Sequence, residues 1–178
     1  MFKGRKEIMA ASINFPENRY RHCYSVGKRM YAYAKYHLGW NEKLCCEMFV
    51  LGNLHDIGYE LDPDSFDHDW VLAEVLNGSY AYVNEIKYHS KFQREYDSPA
   101  LRLLYFGDMT VDGEGNWCTF DERLADLRKR HGVQSEVYKE SYQLATYLRK
   151  LGFDDTVHKE HLVETLNLSD IINKKEII

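Results

Sequence analysis

Met48-Phe49-Val50-Leu51-Gly52-Asn53-Leu54-His55-Asp56-Ile57-Gly58 is an apolar run that ends on two adjacent side chains of metal-ligand type. Its periodicity, with Asn41 as a good N-cap upstream, predicts a buried helix that starts near Asn41 and ends around Gly58. Ionisable groups seldom enter such a helix without a partner. Neighbours on a helix point about 100° apart, so His55 and Asp56 can both reach one ion lying beside it.

Helical periodicity extends in both directions from this run. Over residues 18–38, Tyr20, Cys23, Tyr24, Val26, Met30, Tyr33, Ala34 and Leu38 recur at three- and four-residue spacings, and Gly39 supplies a stop. After an acidic turn broken by Pro63 and Asp64, short helices are predicted over about 67–76 and 81–90. Ser98-Pro99 opens a further helix that reaches Asp108 near its C-terminal end, and the segment 111–116 is a loop by its glycines and polar residues. Thr119 and Glu122 form a capping box for a helix ending at Gly132, and helices over about 135–151 and 155–166 complete the body. With strand signals this sparse, the expected fold class is all-α, a compact multi-helix bundle.

The 178 residues, 44% of them hydrophobic, suffice for one domain with a sizeable core, so residues 1–178 are expected to form a single domain. A formal charge of −5 and the lack of a long basic block argue against capture of a nucleic-acid duplex. Cys23, Cys45, Cys46 and Cys118 show no C-x-x-C spacing and none falls in a ligand-like cluster with the histidines; free thiols in a reducing cytosol are expected. Neither a signal-peptide run nor a bilayer-spanning stretch is evident, so the expected location is the cytoplasm, with no membrane partner. The aromatic helix surfaces permit a homodimer without requiring one.

Around His55 and Asp56 stand His22 before them and His68, His89 and Asp108 after them, each within or beside a helical segment. Imidazole and carboxylate ligands suit divalent Zn, Fe, Mn, Co or Ni at a site that keeps positions open for water and substrate. Taken singly, the bland readings stay open: His22 as a satisfied or half-exposed helix residue, His68 as a charged surface side chain, His89 as a helix C-cap, Asp56 as a group that only orients His55. His37, His131, His158 and His161 read as surface residues, and Asp112 and Glu114 as loop residues with a ligand role left open.

The ordered segments Arg21-His22-Cys23-Tyr24-Ser25-Val26, Leu54-His55-Asp56-Ile57-Gly58, His68-Asp69-Trp70-Val71-Leu72-Ala73-Glu74-Val75-Leu76, Ile86-Lys87-Tyr88-His89-Ser90 and Gly107-Asp108-Met109-Thr110 carry a family resemblance. Over roughly residues 19–132 the chain resembles the HD-domain metal-dependent phosphohydrolase superfamily, as a small stand-alone member. The resemblance implies that His22, His55, Asp56 and Asp108 hold one metal, and that His68 and His89 serve a second, with Asp56 as the bridge. It also implies metal-assisted hydrolysis of a phosphate ester or anhydride, of a nucleotide or related phosphometabolite, by metal-activated water. His55 and Asp56 are then catalytic as well as ligating. Among nearby cations, Lys91 and Arg123 are preferred as phosphate-neutralising residues, ahead of Arg21 and Arg94. The chain lacks the paired His-His and Gly-Tyr-Pro signature of the cyclic-dinucleotide branch. Two other functions stay open: a regulatory module that keeps the metal without turnover, and a di-iron oxygenase.

Overall fold

The computed structural model describes residues 17–61, 67–92 and 95–156. They form helices α1 (Glu17–Tyr36), α2 (Glu42–Leu54), α3 (Gly58–Leu61), α4 (His68–Leu76), α5 (Val83–Tyr88), α6 (Pro99–Met109), α7 (Phe120–His131) and α8 (Glu136–Lys150). The fold is an all-α bundle. Among the described residues the sole β feature is an isolated bridge between Val111 and Trp117, which closes the loop after α6. The helix expected over 155–166, with His158 and His161, lies outside the described residues apart from its first two positions, and so does Arg94.

Local chemistry sets most helix starts. Asn41, Ser98, Thr119 and Ser135 each accept a main-chain amide in the first turn of α2, α6, α7 and α8, and Thr119 completes its capping box with Glu122. Gly132, at φ 83°, ends α7.

The run that opened the sequence reading departs from expectation at its end. Instead of continuing to Gly58, α2 stops at Leu54, and His55, Asp56 and Ile57 form a turn into α3. The cause is local competition. The carbonyl of Gly52, which in a continuing helix would take the amide of Asp56, instead faces His55 Nδ1 at 2.7 Å, and the amide of Ile57 donates to Leu54 one residue early. The His-Asp pair therefore sits on a bend, with each side chain free to point differently.

α1 packs on α2 and α6, α4 on α3 and α5, and α7 on α8. Val26, Met30, Phe49, Leu51, Leu104 and Phe106 are fully buried between the first three. α1 and α2 meet backbone to backbone. A Cβ on Gly52 would stand 2.6 Å from the Cα and N of Gly27, so only glycine fits there. This contact brings His22 of α1 and His55 after α2 onto the same side of the crossing.

Arg29 is 1% exposed, and its burial is compensated. Its Nε donates to Thr110 Oγ1 at 3.1 Å, and its guanidinium lies between the rings of Phe106 and Trp117. It thereby ties α1 to the end of α6, beside Asp108. All four cysteines are free and buried, as expected. Among the described residues no helix is long and apolar enough to cross a membrane.

Candidate metal centre

All six ligand candidates from the sequence converge on one cleft in the structure. His22, from the second turn of α1, and Asp108, near the end of α6, meet with Nε2 and Oδ1 3.0 Å apart. His55 Nε2 lies 3.9 Å from that same oxygen and 3.6 Å from Asp56 Oδ1. His68, at the start of α4, and His89, just past α5, each bring Nε2 to 3.3 Å from Asp56 Oδ1. Two donor groups result, His22 with His55 and Asp108, and Asp56 with His68 and His89, each able to hold a metal ion.

The half-exposed reading of His22 and the surface reading of His68 do not hold, since both rings are buried; His22 has a hydrogen-bond partner at each ring nitrogen, as a satisfied residue would, and the reading of His89 holds in part. His89 Nδ1 lies 2.6 Å from the carbonyl of Ile86 at the end of α5, as a C-cap would, while its other nitrogen faces Asp56.

Main-chain carbonyls orient three of the four imidazoles. Asp112, Gly52 and Ile86 offer carbonyl oxygens to Nδ1 of His22, His55 and His89 at 2.9, 2.7 and 2.6 Å. A proton on Nδ1 leaves the Nε2 lone pair directed into the cleft, the tautomer a metal ligand requires. The ring of His68 is held by stacking on Tyr59, with centroids 3.8 Å apart and planes 15° apart.

Electrostatics in the centre follow from burial and proximity. Burial lowers the pKa of His55 to about 4, so that ring is neutral near pH 7. Burial also works against charge on His22 and His89, but the hydrogen bonds and charges of Asp108 and Asp56 respectively outweigh it, and both pKa values are raised. The two carboxylates are held below their usual range in spite of burial, Asp56 by His55, His68 and His89, and Asp108 by His22, His55 and Arg123.

A cation fits this donor set on structural grounds. Nε2 of His55 and both ring nitrogens of His68 are buried without a hydrogen bond of acceptable geometry. A buried polar atom left so is costly, and here such atoms point at ionised carboxylates. Contrary to the sequence reading of the thiols, Cys23 Sγ also enters the cluster, within 4.8 Å of ligand atoms of His55 and Asp56. Burial pushes that thiol well above its ordinary pKa, so it stays protonated.

The cleft encloses about 510 Å³ and is walled by Arg19, Tyr59, Ser90, Arg123 and Arg130 as well as by the ligand candidates other than His55, which is fully buried. A second hollow of about 550 Å³ adjoins it across Arg123 and Arg130, with Trp117 and Asp126 on its far side. Of the two cations preferred from sequence, Arg123 lies at the site: its Nε and Nη1 are buried without a hydrogen bond, and Nη1 stands 3.6 Å from Asp126. Lys91 does not. It is exposed and its ammonium faces Asp67 at 3.7 Å, outside the cleft lining. Arg21 pairs with Glu114 at the surface.

Arg19 and Arg130 escaped the sequence reading, although helical spacing carried a signal for each. Arg19 precedes His22 by three residues and Arg130 follows Arg123 by seven, both intervals that return to the same helix face. Asp112 proves to act through its backbone, and its carboxylate braces the loop by accepting the amides of Glu114 and Asn116. Compared with family models, with curated proteins and with solved structures, the chain matches none.

Proposed function

We propose that this protein is a metal-dependent phosphohydrolase of the HD-domain type, acting on a phosphate ester or anhydride such as a nucleotide or a related phosphometabolite. The observation that carries the reading is the position of Asp56 Oδ1, within 3.6 Å of the Nε2 atoms of His55, His68 and His89, at the junction of two donor groups. His22, His55 and Asp108 would hold one divalent ion, His68 and His89 a second, and Asp56 would be shared. Bound there, such ions supply a water of lowered pKa and positive charge beside phosphate oxygens.

The chain's own residues do the rest. The carbonyls behind His22, His55 and His89 accept from Nδ1 and so aim Nε2 at the site, where a bound metal would take the place of any Nε2 proton. Arg123 lines the cleft, and its Nε–H and Nη1–H have no internal hydrogen bond, so its guanidinium has donors left for phosphoryl oxygens. Cys23 is a protonated thiol, and the reading assigns the attack to water.

The test is a phosphate-release assay on protein reconstituted with Mn²⁺, Fe²⁺, Co²⁺, Ni²⁺ or Zn²⁺, run anaerobically over a panel of phosphate esters and anhydrides. Phosphate release that depends on metal and disappears in Asp56→Asn supports the reading. Oxygen consumption with an organic substrate and no phosphate release overturns it in favour of an oxygenase; metal uptake with neither overturns it in favour of a regulatory module.

A further inference from the structure

Asp56 does not offer both its oxygens to the histidines. Oδ1 faces His55, His68 and His89, while Oδ2 accepts Arg19 Nη1 at 2.9 Å. The guanidinium of Arg19 also lies over the ring of Tyr59, 4.0 Å from its centroid, and Tyr59 in turn stacks on His68. The Arg19 side chain is 35% exposed at the cleft wall, and that of Asp56 is 14% exposed. One partly exposed cation thus touches Asp56, rests on an aromatic face and lines the cleft.

We propose that Arg19 is an exchangeable counter-ion: it holds Asp56 Oδ2 until divalent cations bind, then pivots on Tyr59 to take an oxygen of the substrate's phosphoryl group. This rests on the metal-centre reading above and assigns Arg19 a role in it. Asp56 is a carboxylate in the cleft, and Arg19 is the guanidinium paired with its Oδ2. Once divalent charge is brought to Oδ1, the same guanidinium is repelled by it, and the carboxylate it neutralised has a stronger partner. Tyr59 supplies the place to go. A guanidinium stacked on a ring keeps its edge donors free, because the ring contacts the face of the fork and leaves its N–H groups in plane. Arg123 lines the same cleft, so the two guanidinium groups can hold different oxygens of one phosphoryl group. No covalent step is involved; one ion pair is exchanged for another.

The proposal predicts effects of opposite sign on two ligands, which a merely structural role for Arg19 would not give. Mn²⁺ binding is measured by equilibrium dialysis and calorimetry, and inorganic phosphate binding by calorimetry on the Mn²⁺-loaded protein, for wild type, Arg19→Gln and Arg19→Lys. Arg19→Gln removes the competing charge, so the Mn²⁺ ion on the His68–His89 side binds about fivefold more tightly or better, a typical coupling factor. In the same variant phosphate binds about tenfold more weakly, as expected for loss of a charge-assisted hydrogen bond. Arg19→Lys keeps the charge without the fork, so Mn²⁺ binding stays near wild type while phosphate binding still weakens. If Arg19→Gln weakens Mn²⁺ binding, Arg19 only braces Asp56 and the exchange is overturned; unchanged phosphate affinity overturns it equally. A wild-type protein that takes up no Mn²⁺, Fe²⁺, Co²⁺, Ni²⁺ or Zn²⁺ is a different failure, that of the metal centre itself, visible before any variant is compared.

Discussion

Asp56 Oδ1 and His89 Nε2 lie 3.3 Å apart although 33 residues separate them in the chain, and His68 Nε2 approaches that same oxygen equally closely. That oxygen also lies 3.6 Å from Nε2 of His55, a member of the other donor group, and the proposed function makes Asp56 the residue both ions share. Asp56→Asn is expected to abolish uptake of both ions, whereas His89→Gln weakens one and leaves the His22–His55–Asp108 group able to bind. Metal analysis of dialysed protein distinguishes two lost equivalents from one; equal losses in the two variants would refute a shared Asp56.

Gly58 is the residue at which the turn after His55 and Asp56 touches α4. A Cβ there would stand 1.8 Å from the carbonyl oxygen of His68, a main-chain atom that cannot swivel away. Gly58→Ala should push α3 and α4 apart, destabilising the protein by about 1–3 kcal/mol, the usual range for overpacking. Because His68 begins α4, the loss should fall on the ion shared with His89. Chemical denaturation measures the first effect and metal stoichiometry the second.

Arg123 and Lys91 make a matched pair of opposite expectation. Substituting Arg123 with Gln removes donors that face the cleft, and should lower turnover of a phosphate ester by about 10²-fold, the typical cost of one stabilising donor, with metal content unchanged. Lys91→Gln removes only an exposed pairing with Asp67, so its activity should match wild type. Steady-state kinetics with parallel metal analysis decides both.

The stability of the metal-free protein should carry the signature of His55. Its pKa is 6.5 as a free side chain and about 4 in the fold. Between those values the unfolded chain binds a proton that the folded chain refuses, so stability falls as pH drops from about 6.5 towards 4 and is undiminished above that window. His55→Gln lacks this proton. The stability of wild type relative to that variant should thus be greatest near neutral pH and shrink by roughly 3 kcal/mol by pH 4, at 1.36 kcal/mol per unit. Urea melts across the window test it; a constant difference would contradict a neutral buried His55. His22 and His89, whose pKa values are raised, act with the opposite sign: their contribution is present at low pH and fades as pH rises through those values.

The sequence read well where structure is decided by neighbouring residues. Asn41, Ser98-Pro99, Thr119 with Glu122, and Ser135 announce helix starts because caps act within one turn of the chain. The six candidate ligands were legible from the His55-Asp56 pair in its apolar run together with the ordered segments of the family resemblance, since His22, His68 and His89 taken singly had bland readings. What escaped depended on contacts that spacing does not encode. Lys91 is adjacent to the site in sequence, yet Asp67 draws it away. Arg19 carries no motif and is defined by Asp56 and Tyr59, which approach only after α1 and α2 have packed. The end of α2 was misplaced because the competitor for the Gly52 carbonyl is the imidazole of His55 itself, a side chain read for its chemistry and not for its effect on the helix.

The carbonyls of Gly52, Ile86 and Asp112 have a bearing on how such a centre can change. Every amino acid supplies a carbonyl, so no point mutation at position 86 or 112 deletes the acceptor that aims its imidazole. The orientation of these three imidazoles is then inherited with the path of the backbone, while a cleft-wall side chain such as Arg130 can change without disturbing it. The centre can be given a different substrate without being re-aimed.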